Sequence, residues 1–327
     1  DDYQSDQNDY VRYIVETGLE KRYEVVTPEI KERAEYEMNT IFSMGFSGYF
    51  LIVWEFINWA KSTYDNVNKR PKPYIPIGPG RGSGAGSLVA YAMTITDIDP
   101  FKYGLIFERF LNPERVSMPD FDVDMDFDYR QDIIQHTRDL YGEPNVGHIV
   151  TFGTLKPKNC IADVGRILGI PLSEVNALKK CIPASPKATL KSAFEPPSEK
   201  FPDGGQLAQY KDDPRYQELF DLAFRLEGVK RNTGLHASGM VIGLTELPNW
   251  APIFKDAKTG EVAVQYTMDI IEPCGLVKFD YLGLKTLSLI RYAENIVNKH
   301  KKEGEELFDC SLVSETDEKT FDLFCRG

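Results

Sequence analysis

Residues Asp120 to Asp128 read Asp-Phe-Asp-Val-Asp-Met-Asp-Phe-Asp, with a carboxylate at every second position and an apolar side chain between each pair. A β-strand sends successive side chains to opposite faces. The spacing therefore predicts Asp120, Asp122, Asp124, Asp126 and Asp128 on one face, with Phe121, Val123, Met125 and Phe127 on the core. Carboxylates crowded in this way repel one another, and protonation or bound cations relieve the repulsion. Hard divalent cations prefer oxygen ligands, and Mg²⁺ typically takes one or two carboxylates together with substrate phosphates. The strand reads as a metal platform. The plainer alternative is an acidic edge strand facing water, as runs of like charge usually do. An EF-hand calcium loop is excluded. It needs Gly at its sixth position and Glu at its twelfth, whereas counting from Asp120 gives Met125 and Gln131, and counting from Asp122 gives Phe127 and Ile133.

A second stretch, Gly78-Pro-Gly-Arg-Gly-Ser-Gly-Ala-Gly-Ser87, carries different chemistry. Glycines at 80, 82, 84 and 86 clear away side chains, so backbone N–H groups can come close to an anion. The stretch opens a helix, whose N-terminus favours negative charge. Ser83 offers a hydroxyl, and Arg81 a guanidinium fork for phosphate oxygens. No Lys precedes the Ser, so this is not a Walker A loop, and strictly alternating glycines do not make a dinucleotide fingerprint. Alone, the stretch is equally a flexible turn. A phosphate cradle and a metal strand close together in the chain, joined through Arg109 and Arg115, point instead to phosphoryl or nucleotidyl transfer. That chemistry is mostly positioning and charge neutralisation, and two metals would clamp the attacking and leaving oxygens.

Several elements must hold these groups in place. Ile30, Ala34, Met38, Ile41 and Phe42 fall at helical spacing, after Thr27-Pro28, a suitable N-cap and first helical residue. Residues 49–62 predict a second helix, Ser62–Pro76 a surface loop, and Leu88–Ala92 a short helix. After the acidic strand comes an amphipathic helix over 130–141, closed by Gly142, then a strand over His148–Phe152. Residues 153–234 read as short helices broken by Pro- and Gly-rich segments, with thirteen Lys/Arg against ten Asp/Glu. They suggest a helical insertion. Strand patterns return over 238–244, 262–267 and 275–281, and a last helix spans 284–300. The polar, Tyr-rich start of the chain predicts no element.

The chain has 327 residues, enough for two or more domains. Its net charge of −12 argues against a partner held by bulk electrostatics, although a local basic groove is enough for nucleic acid. Five scattered cysteines without a CxxC pair, and four histidines, suggest neither a disulfide framework nor a zinc site. A reducing cytoplasm is expected. The apolar run 49–60 is interrupted by Glu55 and Asn58 and is too short to span a bilayer, so no membrane partner is expected. Without an initiating Met or a signal peptide, and ending on Phe324-Cys-Arg-Gly327, the chain looks like a piece of something longer.

Six segments carry a resemblance. Gly-Pro-Gly-Arg-Gly-Ser-Gly-Ala-Gly-Ser (78–87), Phe-Glu-Arg-Phe-Leu-Asn-Pro-Glu-Arg (107–115) and Met-Pro-Asp-Phe-Asp-Val-Asp (118–124) closely resemble the C-family of bacterial replicative DNA polymerases, the DNA polymerase III alpha family. So do Ile-Val-Thr-Phe-Gly-Thr (149–154), Asn-Thr-Gly-Leu-His-Ala-Ser-Gly (232–239) and Leu-Val-Lys-Phe-Asp-Tyr-Leu-Gly-Leu (276–284). The resemblance runs in order over most of the chain, from about residue 30 to the end, and is to the type without an inserted proofreading exonuclease.

The resemblance implies an α+β fold. It would have a nucleotidyltransferase-like (family X-like) palm with a mixed β-sheet and flanking helices, and an inserted, mainly helical thumb. Residues 1–151 and 235–284 would form the palm, 152–234 the thumb, and 285–327 the beginning of the fingers. By the same resemblance, Asp120, Asp122 and Asp280 would bind two Mg²⁺ ions, with Mn²⁺ able to substitute. Arg81, Gly82, Ser83, Arg109 and Lys278 would hold the triphosphate of a dNTP. Lys278 stands two positions from Asp280 and so shares its face of a strand. The implied function is template-directed addition of dNTPs to a primer 3′-OH with release of pyrophosphate. The expected partners are primer–template DNA, dNTP, and, in the intact protein, the sliding clamp and other replisome subunits. The expected place is the cytoplasm, on the nucleoid. With most of the fingers absent, this chain would not be fully active alone. Asp126 and Asp128 extend beyond the family's motif and take no catalytic role, Ser62–Pro76 is longer than the family's link, and His236 is read as structural. Two alternatives remain: a nucleotide-binding regulatory module that does not polymerise, and a metal-dependent phosphohydrolase. The latter would want His ligands, and none follows Asp120–Asp128 before His136.

Overall fold

The computed structural model describes residues 2–114, 118–302, 304–313 and 316–326, with side chains from Asp6 onward. The chain forms two compact units, Asp1–Ile149 with His236–Gly327, and Val150–Leu235.

The first unit opens with helices α1 (Asp2–Arg22), α2 (Pro28–Ser43) and α3 (Ser47–Lys61). Helix α1 was not expected from its polar sequence. Val11, Val15 and Leu19 are buried and Ile14 packs half-buried against the same core, so the helix turns an amphipathic face inward. Thr27 caps α2 through its hydroxyl, which accepts from the Ile30 N–H, and Pro28 follows at the first turn. The segment expected as a surface loop contains a two-residue ladder, β1 (Tyr64–Asp65) with β2 (Arg70–Pro71). Asp65 is buried there, and its carboxylate accepts from the Val67 and Asn68 N–H groups. Next come α4 (Leu88–Ala92), β3 (Asp122–Asp126), α5 (Arg130–Tyr141) and β4 (Val146–Thr154).

The second unit holds α6 (Pro157–Ile167), α7 (Leu172–Lys180), α8 (Leu190–Phe194) and α9 (Gln217–Leu226). They enclose an apolar cluster of their own, with Ile161, Val164, Leu178, Leu190 and Leu219 at its centre. Backbone bonds between Leu155 and residues 228 and 229 close the ends of this unit.

Strand β5 (Lys230–Ile242) then leads back to β6 (Ile253–Lys255), β7 (Val262–Val264), α10 (Met268–Ile271), β8 (Val277–Leu284), α11 (Lys285–Lys299) and α12 (Glu318–Arg326). Six strands form one mixed sheet in the order β3-β8-β5-β4-β7-β6. Strands β3 and β8 are parallel, as are β4 and β7, while β5–β8 and β6–β7 are antiparallel. The fold is α+β. Helices α1 to α5 cover the sheet around a core that includes Phe50, Phe56, Ile57, Met125, Ile133 and Tyr281. Among the described residues no single helix is long and apolar enough to cross a membrane.

The acidic stretch departs from a simple two-faced strand. Regular pairing ends at Asp126, and residues 127–129 form a 3-10 turn. Phe127, expected on the core, is 49 % exposed on that turn, whereas Asp126 is fully buried. Helix α11 causes the difference by lying across the end of the acidic face. Ser288 Oγ and Arg291 Nε donate to the two oxygens of Asp126, at 2.7 and 2.6 Å.

Candidate active site

The site is built where β3 and β8 run side by side. Their register places Asp122 opposite Asp280, so two carboxylates from strands far apart in sequence share one face. Beneath them, Phe121 and Phe279 turn inward, as alternation requires. Both stack on the Tyr49 ring of α3, with centroids 6.0 and 5.4 Å away. The Tyr49 hydroxyl accepts from the Phe121 N–H at 3.0 Å, which fixes the backbone between Asp120 and Asp122. Burial raises the proton affinity of Tyr49, and the carboxylates above it act in the same direction. The ring is a neutral, rigid floor.

The Gly-rich loop is fastened to the outer edge of β3. The Gly78 N–H donates to the Asp124 carbonyl at 2.8 Å, and the Asp126 N–H to the Pro76 carbonyl at 3.1 Å. From there the chain turns through Gly80 and Gly82, both at positive φ, into the 3-10 turn Ser83–Gly86. Gly82 has a φ of 69°, which L side chains rarely adopt, and a Cβ there would also lie 3.0 Å from Asp122 Oδ2.

The helix that follows does not serve the anion as its sequence suggests. Glu37 of α2, fully buried, takes the Val89 N–H at 3.1 Å and the Ser87 hydroxyl at 2.9 Å. The N-terminus of α4 already holds a carboxylate. Burial shifts Glu37 toward the protonated form, opposed by the Val89 and Leu88 N–H groups and by Arg33. Arg33 Nε reaches Glu37 at 2.6 Å, and Arg33 Nη2 donates to the Gly86 carbonyl at 3.1 Å. That helix end is thus not free for a phosphate. Neither Arg33 nor Glu37 was expected; a buried Glu–Arg pair one helical turn apart gives no sequence signal distinct from an exposed one.

Charge is balanced locally. Arg81 Nε donates to Asp124 Oδ1 at 3.0 Å, and its Nη1 lies 3.4 Å from Asp122 Oδ2. Lys278 Nζ bonds Asp120 Oδ2 at 2.6 Å and lies 3.8 Å from Glu272. Asp122 is nonetheless shifted upward: burial raises its proton affinity, Arg81 opposes this, and Asp280 and Asp120 add to it. Asp280 Oδ1 is buried without a hydrogen-bond partner. Among the described residues, no three His, Cys, Asp or Glu side chains stand at coordination spacing. The donor set still suits a hard divalent cation, because it is all carboxylate oxygen. A cation beside Asp280 Oδ1 would satisfy an atom that otherwise pays for its desolvation.

The expected residues are thus brought together unequally. Asp120, Asp122, Asp280, Lys278, Arg81 and Gly82 share the β3–β8 edge. Ser83 is exposed where the 3-10 turn begins. Arg109 is exposed on the neighbouring 3-10 turn, Phe107–Arg109, and among the described residues makes no ion pair with Asp120, Asp122 or Asp280. That turn touches the loop through the Ile106 carbonyl, which a Cβ on Gly86 would meet at 2.7 Å. Arg115 lies outside the described residues. His236 is half-buried, and its Nδ1 accepts from the Gly239 N–H at 2.8 Å, a local backbone role. His136 turns away from the carboxylates, stacks on Trp59 and meets Glu55 at 2.9 Å.

Comparison with known proteins gives the same direction. The family described as "Bacterial DNA polymerase III alpha NTPase domain" matches residues 9–283. The DNA polymerase III subunit alpha of Treponema pallidum is 54 % identical over 324 residues, covering 99 % of this chain and 26 % of that protein. Its counterpart in Borreliella burgdorferi is 48 % identical over 319 residues, covering 98 % of this chain and 26 % of that protein. The Escherichia coli K12 protein is 45 % identical over 331 residues, covering 98 % and 27 %. The chain therefore spans about a quarter of the length of the curated relatives it matches. With this coverage by the family, and with its acidic strand and Gly-rich loop joined at one sheet edge, the chain belongs to the bacterial DNA polymerase III alpha family.

Proposed function

We propose that this chain is the palm and thumb portion of a replicative DNA polymerase, and that the intact protein adds dNTPs to a primer 3′-OH with release of pyrophosphate. The palm would comprise residues 1–151 and 235–284, the inserted thumb 152–234, and the fingers would begin at 285. The observation that carries the reading is the pairing of Asp122 with Asp280 in register, with Arg81 of the Gly-rich loop reaching the same carboxylate face.

Asp122 and Asp280 would hold one Mg²⁺ and Asp120 with Asp122 a second, Mn²⁺ being an acceptable substitute for either. Bound there, divalent cations supply Lewis-acid chemistry, neutralising triphosphate charge and lowering the proton affinity of the attacking hydroxyl. The chain's own groups do the positioning. Backbone N–H groups around Gly82 and Ser83 would cradle the phosphates, Arg81 would contribute charge-assisted hydrogen bonds, and Arg109 would lie to the side of the loop. Lys278, on the same strand face as Asp280, would balance the charge of the triphosphate. The Tyr49–Phe121–Phe279 stack would keep the two strands from shifting as charge moves above them.

Primer–template DNA and dNTP are the partners this reading requires. The slight basic excess of residues 153–234 would meet the duplex backbone in salt-sensitive, sequence-independent contacts. The sliding clamp and other replisome subunits belong to the same reading, as does a place in the cytoplasm on the nucleoid. The test is Mn²⁺ binding by this chain with and without a dNTP, comparing the wild type with Asp122→Asn. The expected result is uptake that dNTP strengthens and that Asp122→Asn abolishes. Binding indifferent to Asp122 would sink the reading.

A further inference from the structure

Five carboxylates alternate along residues 120–128, and the proposed chemistry uses only two of them. Asp126 and Asp128 are accounted for by α11, since Arg291 Nη2 reaches Asp128 at 2.8 Å. Asp124 remains. It sits on the same face as Asp122, is the next acidic residue toward α11, and has a side chain only 15 % exposed. We propose that Asp124 is a positioning residue for the triphosphate, holding the Arg81 guanidinium in its phosphate-binding orientation, and is not a metal ligand. The proposal rests on reading the Gly-rich loop as the phosphate cradle.

Two sets of contacts carry it. First, Asp124 holds the loop at both its backbone and its side chain. Its carbonyl takes the Gly78 N–H at 2.8 Å, at the base of the loop, and its Oδ1 takes Arg81 Nε at 3.0 Å, at the tip. Gly78 lies so close that an added Cβ would stand 3.0 Å from Asp124 Cβ. Second, the guanidinium is engaged through Nε. An arginine side chain has five N–H donors in a fixed plane. With Nε on Asp124 and Nη1 lying 3.4 Å from Asp122, Nη2 has no hydrogen bond among the described residues. An arginine held by its Nε has a fixed plane, and its Nη2 remains available for a charge-assisted hydrogen bond to a phosphate oxygen. Asp122 and Asp280 meet across the β3–β8 pair, whereas Asp124 faces Leu282 in the register and has no carboxylate opposite. Its chemistry faces the loop.

The experiment uses the 327-residue chain and compares Asp124→Ala, Arg81→Ala, the double variant, Arg81→Lys and Asp122→Asn. Mn²⁺ affinity is measured without nucleotide, and affinity for a non-hydrolysable dNTP analogue is measured at saturating Mn²⁺. Asp124→Ala should weaken the analogue by about tenfold, the size of one charge-assisted hydrogen bond, while leaving Mn²⁺ affinity within about twofold. The double variant should be no worse than Arg81→Ala alone, because paired groups are non-additive. Arg81→Lys keeps the charge but has no Nε–H, and should resemble Asp124→Ala. Loss of Mn²⁺ binding in Asp124→Ala, matching Asp122→Asn, would overturn the proposal, as would additive effects or unchanged analogue affinity. If the wild type binds no analogue, the phosphate-cradle reading fails first. The Arg81 Nε–H resonance then decides the pairing by itself: protection that disappears in Asp124→Ala supports the hold on Arg81, and an unprotected signal in the wild type refutes it.

Discussion

At the scale of single residues, one acidic stretch divides its work by what each carboxylate faces. Asp120 meets Lys278, Asp122 meets Asp280 across the strand pair, Asp124 meets Arg81, and Asp126 and Asp128 meet Arg291. The repulsion expected of alternating carboxylates is relieved by three basic side chains from three different segments. Glycine matters most at position 82, where φ is 69° and a side chain would press on Asp122. Gly82→Ala should cost roughly 1–3 kcal/mol of stability from the strained backbone. It should also weaken triphosphate binding, because either the loop or the Asp122 carboxylate must shift to make room. Urea unfolding and dNTP-analogue titration of the same variant check both; a variant as stable and as tight-binding as wild type would contradict the close approach.

At the scale of elements, β3 is held on both sides. Residues 76–78 bond one edge, β8 pairs with the other, and α11 closes the far end through Asp126. Asp126 is buried while Arg291 is 17 % exposed, so Arg291→Ala leaves a buried carboxylate without its cation, held only by Ser288 and the Asp128 N–H. The loss should be roughly 3 kcal/mol at neutral pH, read by chemical denaturation. Burial pushes the Asp126 carboxyl up, but Arg291 and Ser288 outweigh it, and the group stays below its ordinary value of 3.8. Because its folded proton affinity is depressed, its stabilisation is present above the unfolded value and is lost as pH falls through the folded one. The gap between wild type and Arg291→Ala should therefore be widest near neutrality and narrow in acid below about pH 4. A gap independent of pH would mean that Arg291 stabilises through its contacts with the Tyr129 and Tyr292 rings and not through its pairing with the Asp126 carboxylate.

At the scale of the whole molecule, the two compact units differ in self-sufficiency of a kind that can be measured. Residues 150–235 pack a cluster drawn only from their own helices and the segments that join them, and their ends are tied at Leu155, Gly228 and Val229. A unit with its own core and adjacent termini meets the conditions for folding alone. A peptide of residues 150–235 should show a helical circular-dichroism spectrum and a cooperative thermal transition. A non-cooperative melt would show that this cluster borrows stability from the first unit. The first unit is discontinuous in sequence and draws β3, β5 and β8 together only when both of its segments are present.

What the sequence determined by itself was local periodicity. Alternation marked the acidic strand, glycine spacing marked the loop, and apolar spacing marked α2, α3 and α5 at close to their observed limits. It left α1 unseen, although Val11, Ile14, Val15 and Leu19 stand at helical spacing among their polar neighbours and carry the signal. It also left β6 unseen, since three residues are too few for a pattern. The tertiary structure decided partners. Whether an aspartate faces a metal site, an arginine or a helix depends on groups up to 165 residues away, as with Asp126 and Arg291. It likewise gave the N-terminus of α4 to Glu37, from 52 residues upstream. Side-chain type and spacing fix which face of an element a residue occupies, because backbone geometry is local. What lies opposite that face is set by packing, which no stretch of sequence contains by itself.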